Sequence, residues 1–218
     1  MDLPKLHDRY QAGQLLADRL GAQAFSPQGW VIALPRGGVP VGYAIAQRLH
    51  WPLDVWLVRK LGVPDQPELA MGAIAAPNIQ MLNSTLIQNL GITDRQIKAT
   101  ARAELRELQR RDRCYRGGRP LPDIQGQPVI VVDDGVATGA TLQAAIAALS
   151  TFHPLSLMAA VPVAAPVSWQ IISAQVDTSL CLIEPTAMES ISQWYDHFDA
   201  VADATVIQLL RACRLHES

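Results

Sequence analysis

The run Val129-Ile130-Val131-Val132-Asp133-Asp134-Gly135-Val136-Ala137-Thr138-Gly139-Ala140-Thr141 constrains this chain more than any other stretch. Its first four residues are β-branched and apolar, which suits a buried strand. Two carboxylates close that strand. A turn of small residues follows, with two glycines and two threonines, and residues 142–149 form an apolar, alanine-rich helix former. Strand, acidic pair, turn and helix start in one run belong to a fold in which strands alternate with helices.

The turn has a definite chemistry. A helix N-terminus carries about half a positive charge and several unpaired N–H groups, and an anion there is stabilised by both. Gly135 and Gly139 permit close backbone approach. Thr138 and Thr141 add hydroxyl donors. Residues 137–141 therefore suit a phosphate. Asp133 and Asp134 would repel it; they suit sugar hydroxyls as acceptors, directly or through a divalent cation and its waters. One ligand type satisfies both halves, a phosphorylated sugar. A Walker phosphate loop is a poorer reading, because it needs a lysine where Ala140 follows Gly139. An acidic pair opening a receiver domain needs more chain than follows Asp134. An ordinary capped strand–turn–helix explains an acidic pair but not the whole string.

The string resembles the 5-phosphoribosyl-1-pyrophosphate (PRPP) signature of type I phosphoribosyltransferases: apolar strand, two acids, two variable residues, then x-Thr-Gly-x-Thr. In detail it is most similar to the stand-alone bacterial phosphoribosyltransferase group. The resemblance implies an α/β fold with a twisted, mainly parallel sheet flanked by helices and a small hood. It implies one domain over residues 1–218. Its core would run from about residue 25 to 185, with the N-terminal helix and residues 186–218 forming the hood.

The rest of the chain agrees in outline. Residues 8–20 predict a helix with an aspartate cap. Residues 30–34 and 53–58 predict strands, separated by a helix with Pro40 in its first turn. Residues 61–71, with Gly62, Pro64, Asp65 and Pro67, read as a loop. Residues 72–82 read as a strand pair around Pro77-Asn78. Thr93 and Gln96 form a capping box for a long charged helix over residues 93–113. Strands at 155–161 and 180–183, a helix opened by Pro166 and a terminal helix over 203–214 complete the alternation.

Several residues then read as parts of one site. Arg36 sits beside Gly37 and Gly38 ahead of a helix, where a guanidinium and open amides suit phosphate oxygens. The turn resembles the family's pyrophosphate loop. Arg59 and Lys60 close the second strand, where the family carries a mobile lid opened by basic residues; the resemblance gives them neutralisation of the leaving pyrophosphate. Residues 61–71 have the length of that lid. Glu68 resembles a lid glutamate of adenine-type members, although a solvated loop glutamate explains it equally. Trp194, Tyr195 and Phe198 lie where the hood covers the acceptor, so Trp194 and Tyr195 are candidates for stacking a base. Core packing is their other reading. Arg110, Arg111, Arg113, Arg116 and Arg119 read as the polar face and end of a charged helix.

Composition limits the partners. With 49% hydrophobic residues, 17% charged residues and a net charge of −2, the chain has no global nucleic-acid footprint. No apolar run reaches the roughly 18–20 residues of a membrane span. Cys114, Cys181 and Cys213 lack metal spacing and read as reduced thiols, which points to the cytoplasm, and the first residues lack a signal pattern.

The expected activity is pentosyl transfer by a glycosyltransferase. The 5-phosphoribosyl group of PRPP would pass to a nitrogen acceptor, with Mg2+ bound and pyrophosphate released. Gly135, Val136, Ala137, Thr138, Gly139, Ala140 and Thr141 would form the 5-phosphate turn. Asp133 and Asp134 would meet the ribose hydroxyls, and through them or water the Mg2+. In 6-oxopurine enzymes the residue before Thr-Gly is an aspartate serving the base; here it is Ala137, which argues against hypoxanthine or guanine. A homodimer is expected from the family and from the prevalence of two-fold oligomers. Two other readings stay open: a non-catalytic PRPP or nucleotide sensor, and a phosphohydrolase of phosphorylated sugars.

Overall fold

Alternation of β-branched residues builds a sheet with two buried faces. The computed structural model describes residues 5–21, 28–77 and 79–214, the side chains of residues 67 and 68 excepted. Five parallel strands, β1 (Trp30–Ala33), β2 (Leu53–Val55), β6 (Pro128–Val132), β7 (Ser156–Val163) and β8 (Thr178–Ile183), lie in the order β2-β1-β6-β7-β8. Val31 pairs with Leu53 on one side and with Ile130 on the other, and Ile130 pairs with Met158. Val31, Ile130, Val132, Met158 and Ala160 face a core shared with α1 (Arg9–Gly21), α2 (Gly38–Leu49) and α7 (Asp203–Arg214). Ile32, Val129, Val131, Leu157 and Ala159 face α5 (Ala140–Ser150) and α6 (Pro166–Ser173). Every residue of β6 is buried, as a central parallel strand requires.

The strand order places the ligand crevice. The chain adds β2 to one side of β1 and β6 to the other, so the order reverses between β1 and β6. In open α/β sheets ligands bind at such a switch point, beyond the carboxyl ends of the strands. The turns after these two strands hold Arg36-Gly37-Gly38 and Asp133-Asp134.

Most expected elements appear within a residue or two of their predicted bounds. The Asp8 carboxylate accepts from the Gln11 amide at 2.8 Å, capping α1. The capping box Thr93/Gln96 opens α4 (Asp94–Arg116), and left-handed Gly117 (φ 64°) closes it. A short helix, α3 (Ser84–Asn89), capped by Asn83, was not foreseen.

The region read as a loop is different. The second parallel strand ends at Val55, and β3 (Val58–Val63), β4 (Gln66–Ala75) and β5 (Ile79–Leu82) form a separate antiparallel sheet. Residues 61–71 are thus the arms of a hairpin, turned at Pro64 and Asp65, with Asp65 at φ 67°. Gly62 sits at a register irregularity rather than in a loop. Leu61, Val63 and Met71 are buried in the main core, and that burial outweighs the local breaker residues. Arg59 and Lys60 therefore lie within β3, opposite Ile74 and Ala73, not at the end of the second parallel strand.

Residues 6–7 meet residues 194–197. Leu6 donates to the Trp194 carbonyl at 2.9 Å, and Asp196 and His197 donate back to Leu6 and His7 at 2.8 and 2.9 Å. Among the described residues no helix is long and apolar enough to cross a membrane.

Candidate active site

The two turns at the switch point are built against each other. Leu34 donates to the Val132 carbonyl at 2.8 Å, locking the exit of β1 to the exit of β6. The Pro35–Arg36 peptide is cis. Gly37 caps α2, and a side chain there would collide with the Asp134 carboxylate. A Cβ on Gly38 would lie 2.7 Å from the Val132 carbonyl and 2.9 Å from the Asp133 Cα. Glycines at 37 and 38 are thus required by the closeness of the acidic turn, besides leaving amides open. Arg36 stands at the rim, 3.6 Å from Asp203 at the start of α7, with its side chain 45% exposed.

The acidic pair is not symmetric. The Asp134 carboxylate takes a hydrogen bond from Arg9 Nε at 2.8 Å, and both side chains are largely buried. Arg9 also donates to the Asp199 carbonyl at 2.8 Å and lies 3.7 Å from the Phe198 ring centre. Asp133 accepts from the Asp134 amide at 2.9 Å. Burial, with the neighbouring Asp134 charge, pushes the Asp133 carboxyl well above its ordinary range. Burial also raises Asp134, with Arg9 pulling the other way. One acid is engaged by a guanidinium; the other has only an amide partner and is better placed to accept a new donor.

Arg9 escaped the sequence reading. The signal was present: a cation in the first turn of a helix opposes the helix dipole, and so needs an anion elsewhere.

The phosphate turn follows. Val136 differs from its neighbours, because it donates to the Val163 carbonyl at 2.8 Å and its own carbonyl accepts from Ala165 at 2.8 Å. Its amide is committed to the end of β7, so Val136 is a wall of the turn, not one of its anion donors. Gly135 is also structural; a Cβ there would meet Ile191 at 2.6 Å. Ala137, Thr138, Ala140 and Thr141 are exposed. Among the described residues, no protein group accepts from the amides of residues 137–141. Gly139 adopts φ 77°, the left-handed turn that aims these amides outward ahead of α5.

The remaining candidates divide. Arg59 bonds Glu104 of α4 at 2.7 Å and, with Lys60 and Thr141, lines a cleft of about 630 Å³ between the hairpin and α4. The Glu68 side chain lies outside the described residues. Tyr195 is 4% exposed, its ring 4.9 Å from Phe198 and its hydroxyl donating to the Asp134 carbonyl at 2.7 Å. That ring is not an open platform for a base, because it is a post beneath the acidic turn. Trp194 is only partly buried, in a short 3-10 turn (Ser192–Trp194). Among the described residues no three His, Cys, Asp or Glu side chains converge as a metal-holding group. Two adjacent carboxylates fall well short of a divalent cation's roughly six oxygens, so most of its ligands would be oxygens of the bound donor or water.

Comparison with known proteins shows the family. The model of the phosphoribosyl transferase domain matches residues 10–196. A Mycobacterium tuberculosis protein (strain CDC 1551 / Oshkosh), provisionally named a phosphoribosyl transferase, is 38% identical over 203 residues. Its counterpart in strain H37Rv has the same identity over the same length. These matches cover 93% of this chain and 46% of the relatives, so the chain spans about half the length of those proteins. The crystal structure of the protein TT1426 from Thermus thermophilus is 34% identical, with a TM-score of 0.83 over 94% of this chain and 97% of that one. The chain belongs to the phosphoribosyltransferase family.

Proposed function

We propose that the protein transfers the 5-phosphoribosyl group of PRPP to a nitrogen acceptor other than a 6-oxopurine, with release of pyrophosphate. The carrying observation is the contact between the Arg36-Gly37-Gly38 turn and the Asp133-Asp134 turn at the switch point, with the open-amide turn beside them. In this reading the amides of residues 137–141 and the hydroxyls of Thr138 and Thr141 hold the 5-phosphate. Asp133 accepts from a ribose hydroxyl. Asp134, tied to Arg9, holds the turn and adds negative charge near the anomeric carbon.

The chemistry is a displacement at C1. The bond from C1 to the pyrophosphate oxygen breaks, and its electron pair leaves with pyrophosphate. The acceptor nitrogen forms the new bond from the opposite face. The carboxylates stabilise the oxocarbenium-like centre, and Arg36, Arg59 and Lys60 neutralise the departing charge. Bound Mg2+ would supply further neutralisation of the pyrophosphate oxygens. Most of the acceleration comes from positioning and charge. The hood expected from the N-terminal helix and residues 186–218 narrows to residues 5–8 and 186–199 over the acceptor, because α1 and α7 pack into the main core, and Trp194 is the ring left for stacking. The setting is nucleotide salvage by a cytoplasmic homodimer.

The test is pyrophosphate release from PRPP across a panel of nucleobases, with Asp133→Asn as control. Base-dependent release that falls by about a hundredfold or more in the variant is the expected result. Orthophosphate release without any base would replace this reading with a phosphohydrolase, and PRPP binding without turnover with a sensor.

A further inference from the structure

The arginines of α4 are not all on a solvated face. Residues 100, 104, 107 and 111 recur at helical spacing, and Thr100, Glu104 and Arg111 line the same cleft as Arg59, Lys60 and Thr141. The cleft is therefore framed by the hairpin, by α4 and by the first turn of α5. Each guanidinium facing it rests on an acid of α4: Arg59 on Glu104 at 2.7 Å and Arg111 on Glu107 at 2.8 Å. Glu107 is shared with Arg110, also at 2.8 Å. Arg111 uses only its Nε in this pairing, so its outer fork has no protein acceptor among the described residues.

A second observation points to an oxygen at the floor of the cleft. Arg59, Arg111 and Thr141 also border a void of about 20 Å³ beneath it, together with Trp56. The Trp56 side chain is fully buried and its indole N–H has no acceptor among the described residues. A buried donor left without a partner is costly. The void has room for one oxygen atom or one water. Arg59, Arg111, Thr141 and Trp56 thus border one small space.

We infer that Arg111 is a further ligand-binding residue, forming with Arg59 a guanidinium clamp for the pyrophosphate end of the donor. Glu104 and Glu107 are the resident counter-ions that the polyanion displaces. Their pairing holds both forks in place beforehand, and planar forks suit phosphate oxygens better than a point charge does. The identity of the ligand rests on the pyrophosphate-releasing reading above; the clamp itself can be measured without turnover.

The experiment is calorimetric titration of the intact chain with inorganic pyrophosphate and, separately, ribose 5-phosphate, both with MgCl2. Arg111→Ala weakens pyrophosphate binding about ten- to a hundredfold, and Arg111→Lys restores only part of it. Glu104→Gln tightens it up to about fivefold, because Arg59 loses its competing partner. Ribose 5-phosphate affinity stays at the wild-type value in all three variants, and Arg113→Ala, on the exposed face, changes neither ligand. Wild-type affinity for pyrophosphate in both Arg111→Ala and Glu104→Gln overturns the clamp, as does wild-type protein that binds no pyrophosphate. Should Arg111→Ala fail to fold by circular dichroism, Arg111→Lys, which keeps the charge and loses the fork, takes its place, and wild-type affinity in it overturns the clamp. The expected pattern without pyrophosphate release from PRPP would leave the clamp standing and remove the turnover reading.

Discussion

The acidic pair shows how one residue serves function against stability. Both carboxyls titrate above their ordinary range, Asp133 chiefly through burial. An acid whose folded-state pKa is raised adds stability that is complete below the unfolded value of about 3.9, and loses it as pH rises through the folded value. At neutral pH the pair is thus a standing cost to the ligand-free fold. Asp133→Asn keeps an oxygen for the Asp134 amide and removes the charge. It should raise Tm at pH 7, by about 2–4 °C for each kcal/mol recovered, with the gain shrinking as pH falls toward 4. Thermal melts at several pH values check this; an unchanged or lower Tm at pH 7 refutes it. Arg9 answers the opposite question. Removing it alone leaves Asp134 desolvated without its cation, and Arg9→Gln should cost about 3 kcal/mol. Asp134→Asn in the same chain should recover much of that, and a double-mutant cycle by chemical denaturation measures the coupling. The pair itself was legible as a motif. Its asymmetry was not, because 125 positions separate Arg9 from Asp134 and no local pattern links them.

Elements were legible where their ends carry local chemistry. Thr93 and Gln96 announce α4, and Gly117 ends it, because caps are short-range interactions. The hairpin β3–β4 was not legible. Gly62, Pro64 and Pro67 are loop-forming in isolation, and the apolar contacts that favour strands come from α4 and the main core. The same lesson applies to Arg111: helical spacing gives its face on α4, but only the hairpin's position turns that face into a cleft. The turn opening α2 yields a prediction at this scale. A methyl group on Gly37 would run into the Asp134 carboxylate, which Arg9 holds in place. Gly37→Ala should destabilise the protein by about 1–3 kcal/mol, as overpacking does. It should also raise the PRPP KM, because the two turns are pushed apart. A variant with wild-type stability and KM would mean that the turns part freely, contrary to the Leu34–Val132 bond between them.

At the scale of the whole molecule, two sets of residues reach the crevice by different routes. The turns after β1 and β6, and the turn opening α5, are carried by the buried sheet. The proposed hood is carried by segments that pair through Leu6, His7 and residues 194–197, with Arg9 and Tyr195 tying them to the acidic turn. Such pairing was invisible in sequence because it joins segments nearly the whole chain apart. Whether donor and acceptor sites can be perturbed separately then depends on the Tyr195 and Arg9 bonds to the acidic turn holding on their own. Leu6→Pro removes the amide that donates to the Trp194 carbonyl, and alters no residue that itself bonds the sheet turns. The acceptor KM should rise about tenfold or more, on the scale of one lost hydrogen bond plus loosened packing, while ribose 5-phosphate affinity holds. Hydrogen exchange at Asp196 and His197 should accelerate in the same variant, since their acceptors on Leu6 and His7 are displaced. Arg9 lies three residues further on and anchors to Asp134 through its own ion pair. That anchor should confine the damage to the hood. If donor affinity fell together with acceptor affinity, the arm would be holding the acidic turn as well, and the two routes would be one.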